Sequence, residues 1–262
     1  VDICGRAPTG SGNTLAFGIP LVVRTKAAKP RKPQSLILAP TRELADQICK
    51  ELQAFSEKRT VSVVYGGVSY GPQRKALAKG VDILVACPGR LEDLIEQGEL
   101  TLEDVKQVVI DEADRMADMG FMPAVKRILD QTSNDRQTIL FSATLDHDVA
   151  KLKKHYQHNP VTREIGEKAP DIKNADHTYA IAKKADKPEL VAKAINSTWP
   201  AIIFCRTRHG ADRLVKQLKK LGIESEPIHG GKSQHQRKRA LKNFSTGKVQ
   251  ALVATDVAAR GI

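Results

Sequence analysis

Gln107-Val108-Val109-Ile110-Asp111-Glu112-Ala113-Asp114 sets a short apolar run of strand character directly against three carboxylates. The same arrangement recurs along the chain. Apolar runs at 34–39, 61–65, 82–86, 107–111, 137–141, 201–204 and 251–254 have the length of buried strands. Amphipathic stretches at 44–57, 91–97 and 211–221 lie between them, long enough for the helical crossovers that parallel strands require. The pattern predicts an α/β fold with parallel sheets flanked by helices. From 164 to 187 the periodicity gives way to a polar, charged stretch containing Pro170 and Asn174. A domain boundary is expected there, near Ala169, dividing 1–168 from 169–262.

Each apolar run leads into an unusual polar cluster: 40–45, 87–90, 111–114, 142–144, 205–208 and 255–261. Ligands of open parallel sheets bind just beyond the carboxyl ends of the strands. Six clusters at that edge, over two domains, predict a cleft with functional groups on both sides.

With 262 residues the chain has room for two such domains. Its 42 basic and 30 acidic residues give a net charge of +12, which favours polyanionic partners such as nucleic acid or a membrane surface. Basic residues on helical stretches such as 216–220 also read as an ordinary solvated face. Only 4% of residues are aromatic, too few for extensive base stacking, so nucleic acid is expected to be held by its backbone. Cys4, Cys49, Cys87 and Cys205 are widely spaced and suit neither a metal cage nor a disulfide framework, which fits a reducing, cytoplasmic setting. No apolar run approaches the roughly 20 residues that span a bilayer. The nearest, 15–23, is interrupted by Gly18 and Pro20.

Near the start, Ala7-Pro8-Thr9-Gly10-Ser11-Gly12-Asn13-Thr14 is a glycine-rich loop leading into a helical pattern. Such a loop can turn backbone N–H groups inward around phosphates, with the helix N-terminus adding partial positive charge. A plain glycine-rich turn is the competing reading, because the usual G-x-x-x-x-G-K-S/T has Ala7 and Asn13 in place of glycine and lysine. The 111–114 carboxylates strengthen the phosphate reading. Asp111 at a strand end suits Mg²⁺ together with Thr14, and Glu112 suits orienting an attacking water.

The order A-P-T-G-S-G-x-T, P-T-R-E-L-A, G-G, x-P-G-R, D-E-A-D, S-A-T, F-C-R-T, S-Q-x-x-R-x-x-x-L-x-x-F and A-T-D-V-A-A-R-G-I resembles the DEAD-box family of ATP-dependent RNA helicases, bacterial members especially. The resemblance implies two RecA-like domains of the P-loop NTPase type that close on ATP and one RNA strand. Carried over residue by residue, Thr9, Gly10, Ser11, Gly12, Asn13 and Thr14 would face ATP and Mg²⁺. Asp111 and Glu112 would serve metal and water, and Ser142 and Thr144 would couple hydrolysis to unwinding. Thr41, Arg42, Gly66, Gly67, Pro88, Gly89 and Arg90 would grip the RNA backbone in the first domain. Arg206, Thr207, Gln234, Arg237 and Thr255 would continue the track in the second, where Gly230, Gly231 and Arg260 fall in the same blocks. Each is also a residue type of turns and helix caps. His229 reads as structural.

Asn13 is the main departure, a neutral, shorter donor where the family has lysine, and it predicts weak or absent ATP hydrolysis. Cys87 stands where threonine is usual before P-G-R. The family's adenine-reading glutamine segment would precede Val1 and its H-R-x-G-R block would follow Ile262, so the chain is expected to be a fragment with a truncated second domain. An RNA clamp without motor activity is the alternative function. A DNA-directed translocase is disfavoured by the second, fifth and sixth blocks together.

Overall fold

The computed structural model describes residues 1–7, 12–165 and 176–255. The chain folds as two compact units, Val1–Asp171 and Ile172–Ile262. The expected boundary at Ala169, with Pro170 and Asn174, lies outside the described residues, as do Thr9, Gly10, Ser11 and Arg260.

In the first unit the elements run β1 (Ile3–Arg6), α1 (Asn13–Arg24), β2 (Ser35–Leu38), α2 (Arg42–Phe55), β3 (Val61–Val64), α3 (Tyr70–Lys79) and β4 (Ile83–Ala86). They continue through α4 (Pro88–Glu96), β5 (Gln107–Ile110), α5 (Ala113–Asp118), α6 (Met122–Asp130), β6 (Gln137–Ser142), α7 (His147–Tyr156) and β7 (Val161–Glu164). The seven strands form one parallel sheet in the order β3-β4-β2-β5-β6-β1-β7. Both faces are covered, which is why the central strands are continuously apolar rather than alternating. Leu36 and Leu38 of β2 pack with Leu84, Val108 and Leu140 against α3, α4, α6 and α7. Ile37, between them, turns to the other face, where Phe17 and Leu21 of α1 and Ile48 and Leu52 of α2 cover Val85 and Val109. Burying each such side chain stabilises the fold by about 1.5–3 kcal/mol before entropy is counted.

Three strands escaped the hydrophobic pattern, each for a local reason. β1 is half Gly5 and Arg6. Gly5 is needed because it lies opposite Phe141, and a Cβ there would come within 2.5 Å of that ring. β7 is an edge strand with all four residues exposed, so it carries no burial signal. β9 (Ser225–Ile228) contains Pro227, tolerated because β9 is also an edge strand.

The second unit carries α8 (Lys187–Ser197), β8 (Ala201–Phe204), α9 (Arg208–Lys220), β9, α10 (Gln234–Ser245) and β10 (Ala251–Ala254). Its sheet is parallel in the order β8-β10-β9. Residues Ala192, Ile195, Ala211 and Leu218 of α8 and α9 bury Ala251 and Val253 on one face. Ala240 of α10 covers Leu252 and Ala254 on the other. None of the helices among the described residues is long and apolar enough to cross a membrane.

Helices α2, α4 and α9 begin earlier than their apolar periodicity, at Arg42, Pro88 and Arg208. Their first turns are made of the polar clusters themselves. Thr41 caps α2 by accepting from the Leu44 N–H at 3.3 Å, and Thr207 caps α9 by accepting from the Gly210 N–H at 3.0 Å. Cys87 holds the same position before α4 but provides no side-chain cap, a function threonine would supply.

Candidate functional site

Strands β5, β6 and β1 are consecutive in the sheet and parallel, so their carboxyl ends emerge side by side. Arg6 is paired with Ser142 and Ile110 with Leu140. The glycine-rich loop, Ser142 and Asp111 therefore leave the same edge from neighbouring strands. With strands about 4.8 Å apart, the ends of β1 and β5 are about 10 Å from each other. Ala7, the first residue of the loop, donates its N–H to the Ser142 carbonyl at 3.2 Å. At the far end Gly12 has φ 85° and its carbonyl accepts from the N–H groups of Leu15 and Ala16. Glycine adopts this left-handed conformation without a Cβ clash, which lets α1 start abruptly at Asn13. Its N-cap residue, Gly12, has no side chain to cap that N-terminus. Asn13 and Thr14 are half-buried in its first turn.

Across β6, Glu112 also takes a left-handed conformation, φ 51° and ψ 53°, which costs a non-glycine residue about 1–2 kcal/mol. The bend swings the chain from β5 into the short helix α5. Asp111 is buried and accepts the Glu112 N–H at 3.0 Å. Burial, then the Glu112 and Asp114 charges, push its carboxyl up to about 7, against the lowering effect of that hydrogen bond. Among the described residues Asp111 has no cationic partner. Glu112, also buried, lies 3.6 Å from Nη1 of Arg115. A buried carboxylate crowded by like charge and lacking a counter-cation fits a divalent metal.

The two hydroxyl residues reach this turn through Asp114, the member of the acidic cluster to which the sequence assigned no separate role. Ser142 Oγ accepts the Asp114 N–H at 3.1 Å. The Asp114 carboxylate accepts from Thr144 N–H at 3.1 Å and Thr144 Oγ1 at 3.3 Å, while its other oxygen accepts from Arg115 N–H.

The other half of the same edge carries the remaining first-unit residues. β3, β4 and β2 are consecutive, and beyond them stand Gly66-Gly67, Pro88-Gly89-Arg90 and Thr41-Arg42. Gly67 has φ 77°, and a Cβ on it would fall 2.0 Å from Arg42 Nη1, so the guanidinium lies directly over the glycine pair. Gly89 is exposed in the first turn of α4. Arg90 is buried. Both its Nη atoms donate to the Val68 carbonyl at 3.2 Å, its guanidinium stacks 3.9 Å from the Tyr70 ring, and Nε is 3.6 Å from Asp93. Tyr70 in turn donates to Asp93. Arg90 thus fixes the 66–70 turn from beneath. Tyr70, shortly after the glycine pair, and Asp93, shortly after Pro88-Gly89-Arg90, carry no sequence signal of their own.

In the second unit, Arg206 and Thr207 follow β8 and are exposed, Thr255 follows β10 and is buried, and Gly230-Gly231 follow β9. These strands are neighbours, so the clusters share one edge of that unit. Gln234 and Arg237 are buried in the first turns of α10 behind the Ser233–Gln236 capping box. His229 is buried, accepts the Gly231 N–H at Nδ1, and faces Asp212 with Nε2 at 3.2 Å. Burial would raise the Asp212 carboxyl, but hydrogen bonds from Lys232 and His229 outweigh it and hold the group below the usual carboxylate range. These contacts tie His229 to the turn after β9 and to α9.

The carboxyl ends of three adjacent strands thus lead into Ala7, the carboxylate turn and the hydroxyl pair, at the edge where open parallel sheets bind ligands. Residues 1–152 match the DEAD/DEAH box helicase family and residues 186–262 the helicase conserved C-terminal domain. The chain belongs to the DEAD-box helicases. It is 42% identical to DEAD-box ATP-dependent RNA helicase 3A, chloroplastic, of Zea mays, over all of this chain and 36% of that protein. It is 40% identical to DEAD-box ATP-dependent RNA helicase CshA of Streptococcus pneumoniae, over all of this chain and 50% of that one. The chain thus spans a third to a half of the length of these curated relatives. Among solved structures it resembles a DEAD box protein from the hyperthermophile Methanococcus jannaschii, with TM-score 0.59 and 34% identity over all of this chain and 71% of that one. The yeast DEAD-box splicing factor Prp28 gives TM-score 0.62 and 36% identity, over all of this chain and 63% of the other. These DEAD-box structures have the RecA-like architecture described above.

Proposed function

We propose that this chain is the core of an ATP-dependent RNA helicase, its two RecA-like domains spanning 1–168 and 169–262. The observation that carries this reading is the adjacency of the ends of β1, β6 and β5, which brings the glycine loop beside Ser142 and the carboxylate turn. In it, Thr9, Gly10, Ser11, Gly12, Asn13 and Thr14 hold the triphosphate. Thr14 and Asp111 would hold Mg²⁺, which would supply charge neutralisation for the triphosphate. Glu112, fixed by its left-handed backbone and by Arg115, orients the attacking water and accepts its proton at the carboxylate. Ser142 and Thr144 report the state of this turn through Asp114. Thr41, Arg42, Gly66, Gly67, Pro88 and Gly89 present N–H groups and a guanidinium to the RNA backbone, with Arg90 positioning the turn. Arg206, Thr207, Gln234, Arg237 and Thr255 extend the track in the second domain. The four free cysteines favour a reducing compartment such as the cytoplasm.

RNA and DNA of identical sequence, competing at about 0.1 M salt because backbone binding is steeply salt-dependent, should differ at least tenfold in favour of RNA. Equal competition would remove RNA from the reading. Gly67→Ala is expected to displace the Arg42 guanidinium and weaken RNA binding by about tenfold, as Arg42→Ala does. The double variant should be no weaker than either single one, since both lose the same contact. Additive losses in an RNA titration would show that the two residues act separately.

A second reading, an RNA clamp that has lost its motor, is favoured by one observation. Asn13 supplies no positive charge to the phosphates.

A further inference from the structure

The strands whose carboxyl ends carry the first-unit RNA segments, β3, β4 and β2, have a second set of cations at their opposite ends. Arg24 ends α1 and the connection into β2 carries Lys26 and Lys29; that into β3 carries Lys58 and Arg59; Lys79 ends α3 just before β4. These connections are fastened to one another. Asp82, buried just before β4, accepts the Ala28 N–H at 2.6 Å with one oxygen and the Thr60 N–H at 2.8 Å with the other. Gly80 packs against the backbone of Ala28 and Lys29, and Arg31 donates its N–H to the Leu77 carbonyl. Lys26, Lys29, Lys58 and Lys79 are exposed, and among the described residues none of the four forms an ion pair. Their neighbours Arg31 and Lys32 are already engaged by Glu99 and Glu103. The acids left nearby are Glu57, Asp104 and the buried Asp82.

We propose that this edge is a second RNA-binding surface, taking the phosphate backbone of RNA that flanks the segment held at the carboxyl edge. The proposal rests on the RNA-binding reading above. Four unpaired ammonium groups on a frame tied together by Asp82 form a preorganised polyanion site. No large apolar or aromatic residue is exposed on these connections, so the surface reads phosphate and not base. The two edges are separated by strands of about 13 Å plus their loops, so one short oligonucleotide does not reach both. A longer RNA gripped at the carboxyl edge keeps its flank at high effective concentration near the other, so even weak contacts there add to affinity. This favours flanking RNA over an independent acidic partner.

The test is a fourfold charge reversal of the whole chain, Lys26→Glu, Lys29→Glu, Lys58→Glu and Lys79→Glu, titrated with RNAs of about 6 and about 30 nucleotides over a range of salt. Expected is a loss of at least about tenfold for the long RNA, with the salt slope shallower by about 3, and a change under about twofold for the short one. A matched reversal of Lys151, Lys154, Lys216 and Lys219 controls for net charge, and circular dichroism checks folding. Equal loss for both lengths, no loss for the long RNA, or the same loss in the matched control overturns the proposal. So does lost binding to phosphatidylglycerol vesicles with RNA affinity intact, which assigns the edge to a lipid surface. A parent chain that binds neither RNA overturns the RNA-binding reading itself, and a parent that binds both while the variant is indifferent overturns only the second surface.

Discussion

Asn13→Lys is expected to tighten ATP binding by about ten- to a hundredfold and to raise RNA-stimulated phosphate release by at least as much. Asn13 is the first residue of α1, directly after the left-handed Gly12. A charge-assisted hydrogen bond contributes about 1.5–3 kcal/mol, and the transition state of phosphoryl transfer gathers further charge on the same oxygens. The helix N-terminus and loop amides that the reading assigns to phosphate are backbone groups and do not depend on Asn13. The asparagine chain should therefore still bind nucleotide weakly. A fluorescent-nucleotide titration with single-turnover phosphate release measures both effects. If affinity rises and turnover does not, the clamp reading prevails. If neither changes, the loop does not hold the triphosphate. In the lysine background, Glu112→Gln is expected to lower phosphate release about a hundredfold or more with little change in nucleotide affinity, because it removes the proton acceptor and keeps the shape.

Asp114→Ala is expected to destabilise the first unit by about 2–3 kcal/mol and to uncouple the carboxylate turn from Ser142-Thr144. The side chain is buried and accepts from both Thr144 donors and from Arg115, so truncation removes a buried acceptor that links β5 to β6 and leaves those donors unsatisfied. Asp114→Asn should recover part of the loss. Its carbonyl can still accept from Thr144, while its amide meets the Arg115 N–H as a second donor. Amide exchange over 107–118 and 139–150 in a urea series measures the effect. Trp199, the chain's one tryptophan, lies in the second unit, so its fluorescence should be unchanged. Equal losses for the alanine and asparagine variants would show that the contact to Thr144 is not the source.

The central strands were legible because each is buried on both faces and therefore continuously apolar, as at Leu36-Ile37-Leu38. The edge strands were not. β7 buries nothing, and β9 carries a proline, so period and propensity were both silent there. Helix starts were misplaced by two or three residues because Thr41, Cys87 and Thr207 hand the first turn to polar motif residues, while burial begins a turn later. Asp111, Glu112 and the hydroxyl pair stood out as polar clusters after strands. Asp114 stood in the same cluster but received no role of its own, since its importance is a set of hydrogen bonds to residues 28 and 30 positions away.

From the amino-acid order alone come the α/β class, the strand-end location of the functional clusters, the family resemblance and the anomaly at Asn13. These are local properties, set by hydrophobic period and residue chemistry. Only the tertiary structure divides the clusters into two groups, because strand order along a sheet depends on which helices cross over and in which sense. That order puts the ends of β1, β6 and β5 side by side, and those of β3, β4 and β2 beside one another. The same order gathers lysines from three separate connections at the opposite edge around Asp82.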